Sequence, residues 1–430
     1  MRLDKTLITG SAVCLLSLTG VINAATASSP DFATNFSDST LRMDYIFGGG
    51  NRPSSDSSSK SAILLHKMSK FKGWAGRRSN LDRVPYAGNG EIVMRDPLSG
   101  DTLYRHTFSS LFQEWLATAE ADSASRSFEN TFILPLPKRK TEIILRLFDG
   151  CHLPIGDALH VYSPDDELVA SSQPSGASSV YIHKGSDPAK AIDVAILAEG
   201  YTVKEQDKFL ERAKTIVNEI LSYEPYKSFS DNFNFIAVFS PSADSGVSIP
   251  KKGVWKNTPF SSHFSTFHSP RYLTTPHLFR VHDALDTLPY EHVIILVNTD
   301  NYGGGGIYNS YLITAADNDM VLPVSVHEFG HSFGGLADEY FYDYEESDYY
   351  PLSVEPWEPN ITTMVDFSSK WEDMINPENP GVGIFEGGGY RTKGVFRPVS
   401  TCRMRDNVHP DFCPVCQRAL RRLIQFYIQD

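Results

Sequence analysis

The sequence predicts a multidomain α+β chain in which an all-β, sandwich-like amino-terminal domain precedes an α/β domain. Three observations carry that expectation. The chain has 430 residues, which at about 150 per domain is enough for more than one core. Its 41% hydrophobic and 21% charged residues are those of an ordinary globular protein. Near residue 185 the pattern changes, from short runs punctuated by Pro and Gly to strand-like runs alternating with helical periodicity.

At the amino end, Arg2 and Lys5 precede an apolar stretch over residues 7–22 that closes on Asn23-Ala24-Ala25. A basic start, a short apolar run and a small-residue cut site read as a secretory signal peptide over residues 1–24. It is not read as a membrane span, because Ser11, Ser17, Thr19 and Gly20 dilute a run already short for hydrocarbon. The mature chain is therefore expected to be exported, with no transmembrane domain once the leader is gone. Residues 30–184 are assigned to the β domain, with strands expected at 131–134, 141–148 and 158–162 and a turn or linker at 171–179. Residues 185–430 follow as the α/β domain. They open on a continuous apolar run at 194–198 and a helix over 204–221 that turns Phe209, Ala213, Ile216, Val217 and Ile220 inward. Further strands are expected at 233–239 and 292–297. A formal charge of −13, from 52 acids and 39 bases, repels phosphate backbones and argues against a nucleic-acid partner.

Residues 321–340 carry the chemistry, through the pattern H-E-x-x-H at His327-Glu328-Phe329-Gly330-His331. At about 100° per residue, the two histidines lie within roughly 40° of each other, with Glu328 about 60° to the side of His331. Leu322, Val326, Phe329, Phe333 and Leu336 fall on the opposite side, so that stripe buries the helix and turns the histidines toward a cleft. Pro323 suits a first helical turn, and Gly334-Gly335 ends the helix. Two imidazoles one turn apart, a third ligand and an open fourth position make a catalytic zinc (Zn2+) site. Asp338, seven residues past His331, is the expected third ligand, with Glu339 as the runner-up. Glu328 is the expected general base, taking a proton from the attacking water and handing it to the leaving amine of a protein or peptide substrate.

The same motif also arises in unrelated proteins as a structural pair, so the surrounding residues matter. Gly303 to Gly306 follow a predicted strand and suit an extended peptide laid along a strand edge, although a flexible loop has the same composition. Met404 stands where a methionine could floor the metal, although a lone Met is more often core packing. Loss of the leader removes Cys14 and leaves Cys151, Cys402, Cys413 and Cys416. Export favours one local disulfide from Cys402 to Cys413 or Cys416. The alternative is a structural zinc held by Cys402, His409, Cys413 and Cys416. The tyrosine- and acid-rich run at 338–350 motivates a rival function, a surface or periplasmic protein that binds glycan or protein and uses its metal only structurally. Intact Glu328 argues against it, since a structural zinc has no use for that carboxylate.

The segment His327-Glu328-Phe329-Gly330-His331-Ser332-Phe333-Gly334-Gly335-Leu336-Ala337-Asp338-Glu339-Tyr340 closely resembles the bacterial IgA-peptidase family of zinc metallopeptidases. Ala198-Glu199-Gly200-Tyr201-Thr202, Asp244-Ser245-Gly246-Val247-Ser248, the 303–309 loop, Arg397-Pro398, Cys402-Arg403-Met404-Arg405 and Phe412-Cys413-Pro414-Val415-Cys416 also look like its motifs. The run from Phe36-Ser37-Asp38-Ser39 to Phe47-Gly48-Gly49 resembles the family's amino-terminal β domain. The resemblance implies a zincin-type catalytic domain related to metzincins, with His327 and His331 as ligands and Glu328 as the catalytic carboxylate. One departure stands out: counted from His331 through Gly334, the metzincin third ligand falls on Ala337, whereas counting from Gly335 places it on Asp338. Cleavage of immunoglobulin A belongs to some members, and no residue here encodes that substrate.

Overall fold

The computed structural model describes residues 29–51, 61–342 and 349–428. The leader expected over residues 1–24 lies outside the described residues, as do residues 343–348 of the tyrosine- and acid-rich run. The first half holds β1 (Phe36–Gly49), β2 (Ser61–Lys72), β3 (Gly90–Arg95), β4 (Thr102–Phe108), β5 (Arg126–Pro137), β6 (Thr141–Phe148), β7 (Pro154–Tyr162) and a short β8 (Ala170–Ser171). Two short helices, α1 (Phe32–Asn35) and α2 (Leu111–Leu116), accompany them. The strands form two four-stranded sheets, ordered β5-β1-β2-β8 and β4-β3-β6-β7. Side chains alternate across a strand, so Leu41, Met43, Tyr45 and Phe47 of β1 point the same way. They meet Ile143, Leu145 and Leu147 of β6 in one buried core, and the two sheets close as a sandwich.

The second half is built on a six-stranded sheet of β9 (Ser178–Lys184), β10 (Ile192–Glu199), β11 (Phe233–Phe239), β12 (His292–Val297), β13 (Gly304–Ile307) and β14 (Tyr311–Ala315). Its order is β13-β14-β12-β10-β11-β9, with the four inner strands parallel and the two edges antiparallel. Parallel strands covered on both faces need apolar side chains on both, and every residue of β10, β11 and β12 is buried. Helices α3 (Gln206–Ile220), α5 (Val321–Ser332) and α6 (Pro414–Ile428) supply the core on one face, where Val194, Ile196 and Ala198 point. The other face takes α4 (Leu278–Leu285), against Ala195 and Leu197. A hairpin, β15 (Phe385–Gly388) and β16 (Arg391–Arg397), stands apart.

Two sequence expectations change. Strand β9, placed with the first domain when its limit was set at residue 184, instead pairs with β11 from Asn234↔Lys184 to Phe239↔Ser178. Its half-exposed, weakly alternating residues fit an edge, a role that local pattern cannot assign to either sheet. The glycine run, read either as a peptide-binding edge or as a flexible loop, is an ordered edge strand. Among the described residues no helix is long and apolar enough to cross a membrane.

Candidate metal centre

Helix α5 packs its expected stripe inward. Val326 and Phe329 are buried in the core, as are Phe333 and Leu336 just beyond the helix end, and Leu322 lies partly buried against it. Its other side rests directly on β13, which explains the glycines there. A Cβ on Gly306 would sit 2.5 Å from the Glu328 carbonyl oxygen and 3.0 Å from the His331 Cβ. Within the helix, a Cβ on Gly330 would come 2.8 Å from the sulfur of Met404, which is fully buried under the motif. Close backbone approach, rather than flexibility, is what these glycines provide.

Beyond Ser332 the chain reverses. Gly335 takes φ +60, the left-handed region that favours glycine, and the N–H of Leu336 reaches back to the Gly330 carbonyl at 3.0 Å. The returning chain is then clamped from two sides. Asn360 accepts from the Ala337 N–H at 2.8 Å and donates to its carbonyl at 2.9 Å. From the hairpin, the N–H of Gly389 bonds the Asp338 carbonyl at 2.9 Å and that of Tyr390 bonds the Tyr340 carbonyl at 3.0 Å. The reversal lays Asp338 over the two histidines.

Asp338 Oδ1 lies 3.0 Å from His327 Nε2 and 3.2 Å from His331 Nε2, and the two Nε2 atoms are 3.0 Å apart. At the far side of each ring, Nδ1 donates to a backbone carbonyl: His327 to Arg403 at 3.0 Å and His331 to Leu336 at 2.6 Å. Those bonds fix the tautomer and turn both Nε2 lone pairs toward Asp338. Two nitrogen lone pairs and a carboxylate oxygen converging in this way repel unless a cation sits among them. Tetrahedral zinc with bonds near 2.0 Å spaces its ligand atoms by about 3.3 Å, close to the observed triangle. The residues present therefore fit a divalent ion.

Electrostatics agree. Burial works to raise the Asp338 carboxyl, yet the two imidazoles hold it well below the usual range. Burial lowers His331, but the Asp338 carboxylate outweighs it and brings the imidazole up to about 9. A proton occupies the triangle when no ion does. The Tyr390 hydroxyl donates to Asp338 Oδ2, and burial keeps that hydroxyl protonated.

The triangle opens on a cleft of about 850 Å³ lined by Glu328, Gly303 to Ile307, Tyr272 and Tyr340. Burial raises the Glu328 carboxyl, while His327 and His331 pull it back down. From the amino-terminal half, Glu114 of α2 reaches the same cleft and accepts from the Tyr272 hydroxyl; burial pushes it up to about 7. Sequence reasoning named His327, Glu328, His331, Asp338 and Met404, and all five meet here. It missed Tyr390, Glu114 and Tyr272. The run Gly387-Gly388-Gly389 before Tyr390 did signal a turn, but nothing local tells which segment that turn touches.

Glu339, the runner-up ligand, points away from the histidines into a cluster with Cys402, Cys413 and Cys416. His409 does not join those cysteines; its Nδ1 bonds the Asp411 carbonyl at 2.8 Å, outside the core. The expected disulfide is not formed. Cys402 and Cys416 have their sulfurs 3.8 Å apart, and Cys151, Cys402, Cys413 and Cys416 are all free.

The profile of the family described as IgA Peptidase M64 matches residues 180–381 and 376–424, and that described as Peptidase M64 N-terminus matches residues 31–153. A search of curated proteins found no match.

Proposed function

The chain belongs to the IgA peptidase M64 family, and from that membership we propose that it is an exported zinc endopeptidase that hydrolyses peptide bonds of extracellular proteins with Glu328 as general base. One observation carries the reading: two tautomer-locked imidazoles and Asp338 converge beside a carboxylate in an open cleft. Zinc bound there supplies Lewis acidity to the scissile carbonyl and lowers the pKa of water.

The chain's own residues do the rest. Glu328 lies on the helix next to His327 with its carboxyl raised by burial, so it is suited to take a proton from the attacking water and deliver it to the leaving amine. Arg403 and Leu336 hold the imidazole rings through their carbonyls, and Tyr390 holds Asp338 through its hydroxyl. Strand β13 and the tyrosines around it give an extended substrate a wall to lie against. The basic, apolar, small-residue sequence of residues 2–25 supports export.

The test is cleavage of an unfolded protein substrate before and after chelation. Activity is expected to vanish with the metal and return with added zinc. Full activity in verified metal-free protein would defeat the assignment.

A further inference from the structure

We propose that Cys402, Cys413, Cys416 and Glu339 form a second metal centre, a closed structural zinc site of three thiolates and one carboxylate, distinct from the histidine site. One ligand atom from each of the four residues lies within 4.8 Å of all the others. Cys402, Cys416 and Glu339 are fully buried and Cys413 is 5% exposed, so no position is left open for water or substrate. Closure of this kind is what separates structural from catalytic zinc. Three sulfurs and one oxygen select a borderline-soft, tetrahedral ion over calcium or magnesium.

Two further observations point to a cation. Glu339 Oε1 accepts from Asn360 at 3.0 Å and lies 3.3 Å from the Cys416 sulfur, whereas its Oε2 is fully buried with no hydrogen-bond partner among the described residues. A buried carboxylate oxygen left without a hydrogen-bond partner is costly, and an ion among the sulfurs removes that cost. The cysteine sulfurs are also set up as acceptors. Cys413 and Cys416 flank the start of the fifteen-residue α6, where backbone N–H groups have no partner within the helix and can turn to the sulfurs. The Cys413 N–H points to the Cys402 sulfur at 3.2 Å, and the Cys416 N–H to the Cys413 sulfur at 3.4 Å. A disulfide between any two of the three would leave one thiol over and Glu339 Oε2 still without a partner.

The site has a consequence for its neighbour. Glu339 follows Asp338 directly, and its N–H bonds the Met404 carbonyl at 2.8 Å. An ion holding Glu339 to the cysteines ties down the chain reversal that delivers Asp338, so the second centre positions a ligand of the first.

The full mature chain is purified without added metal, and its zinc and thiols are counted. Two zinc ions per chain are expected, and one in the double variant His327→Ala/His331→Ala. In that variant zinc-edge X-ray absorption should show three sulfurs near about 2.3 Å and one oxygen near about 2.0 Å. That readout is independent of proteolysis, so failure of the peptidase reading leaves it intact. In the wild type, denaturation in chelator without reductant should release four alkylatable thiols, Cys151 among them. A disulfide mapped between any two of Cys402, Cys413 and Cys416 overturns the proposal. So does a cooperatively folded double variant that carries no zinc.

Discussion

At the scale of single residues, the site is a contest between a proton and an ion for one triangle of atoms. His331 stands at about 9 without a cation, so it carries a proton at neutral pH, and an entering ion must displace it. Metal binding to chelated protein is therefore expected to release about one proton per ion below pH 9 and to tighten as pH rises toward that value. Titration calorimetry in buffers of different ionisation enthalpy reads the count; a proton count of zero at pH 7 would reject the pairing. The same pair affects stability in the chelated state. A folded value above the ordinary 6.5 means its stabilisation is complete below about 6.5 and is lost as pH rises through about 9, so the chelated protein's Tm should fall across that window. Glu328 makes no bond to the triangle, so Glu328→Ala should keep the metal and lose roughly 10²- to 10⁴-fold in kcat. Steady-state rates on zinc-quantified protein check it, and a rate within a few-fold of wild type would remove Glu328 from the base role.

At the scale of elements, helix α5 works because its two sides meet different constraints. The stripe from Leu322 to Phe333 was legible in the sequence because burial on one face obeys the helical period, whereas Leu336 is buried beyond the helix end, where that period no longer applies. The buried strands β10, β11 and β12 were legible for a similar reason, as continuous apolar runs set off by turns. The glycines of β13 were ambiguous, because what they accommodate comes from α5, some twenty residues on. Strand β9 and the hairpin carrying Tyr390 were not legible, since their partners are set by long-range pairing and their own residues show little periodicity. The helix–strand contact makes its own prediction. In Gly306→Ala the new methyl meets the Glu328 carbonyl oxygen at 2.5 Å, a backbone atom that moves only if α5 moves. About 1–3 kcal/mol of stability should be lost, along with zinc affinity, because displacing α5 spreads the His327–His331–Asp338 triangle. Denaturant unfolding and competitive zinc titration measure both, and a wild-type zinc affinity would show that the helix does not need this contact.

At the scale of the whole molecule, the cleft belongs to both halves of the chain, and one buried network decides how they dock. Arg42 of β1 is 1% exposed. It bonds Asp44 through Nε at 2.9 Å and Nη2 at 3.0 Å, and crosses to α4 through Asp283 at 2.8 Å, Asp286 at 3.1 Å and the Phe279 carbonyl at 3.0 Å. Glu129 of β5 adds a second tie, accepting at 2.9 Å from the Phe279 N–H in the first turn of α4, where a negative charge favours the helix dipole. On the cleft side, the Glu114–Tyr272 bond joins the same two halves. A buried ion pair adds little net stability over apolar replacements, but removing one partner strands the other charge. Arg42→Met leaves Asp44 buried and unmatched at 2% exposure, and should cost about 3–5 kcal/mol. Adding Asp44→Leu should recover part of that loss, which a simple packing defect at Arg42 would not allow. Loosened docking also moves Glu114 relative to Tyr272 and the metal triangle, so KM should rise in Arg42→Met while zinc content stays at the wild-type level. Chemical denaturation of the three proteins, with kinetics on the same preparations, tests both arms; if the single variant matches the wild type in stability and KM, the network does not hold the halves together.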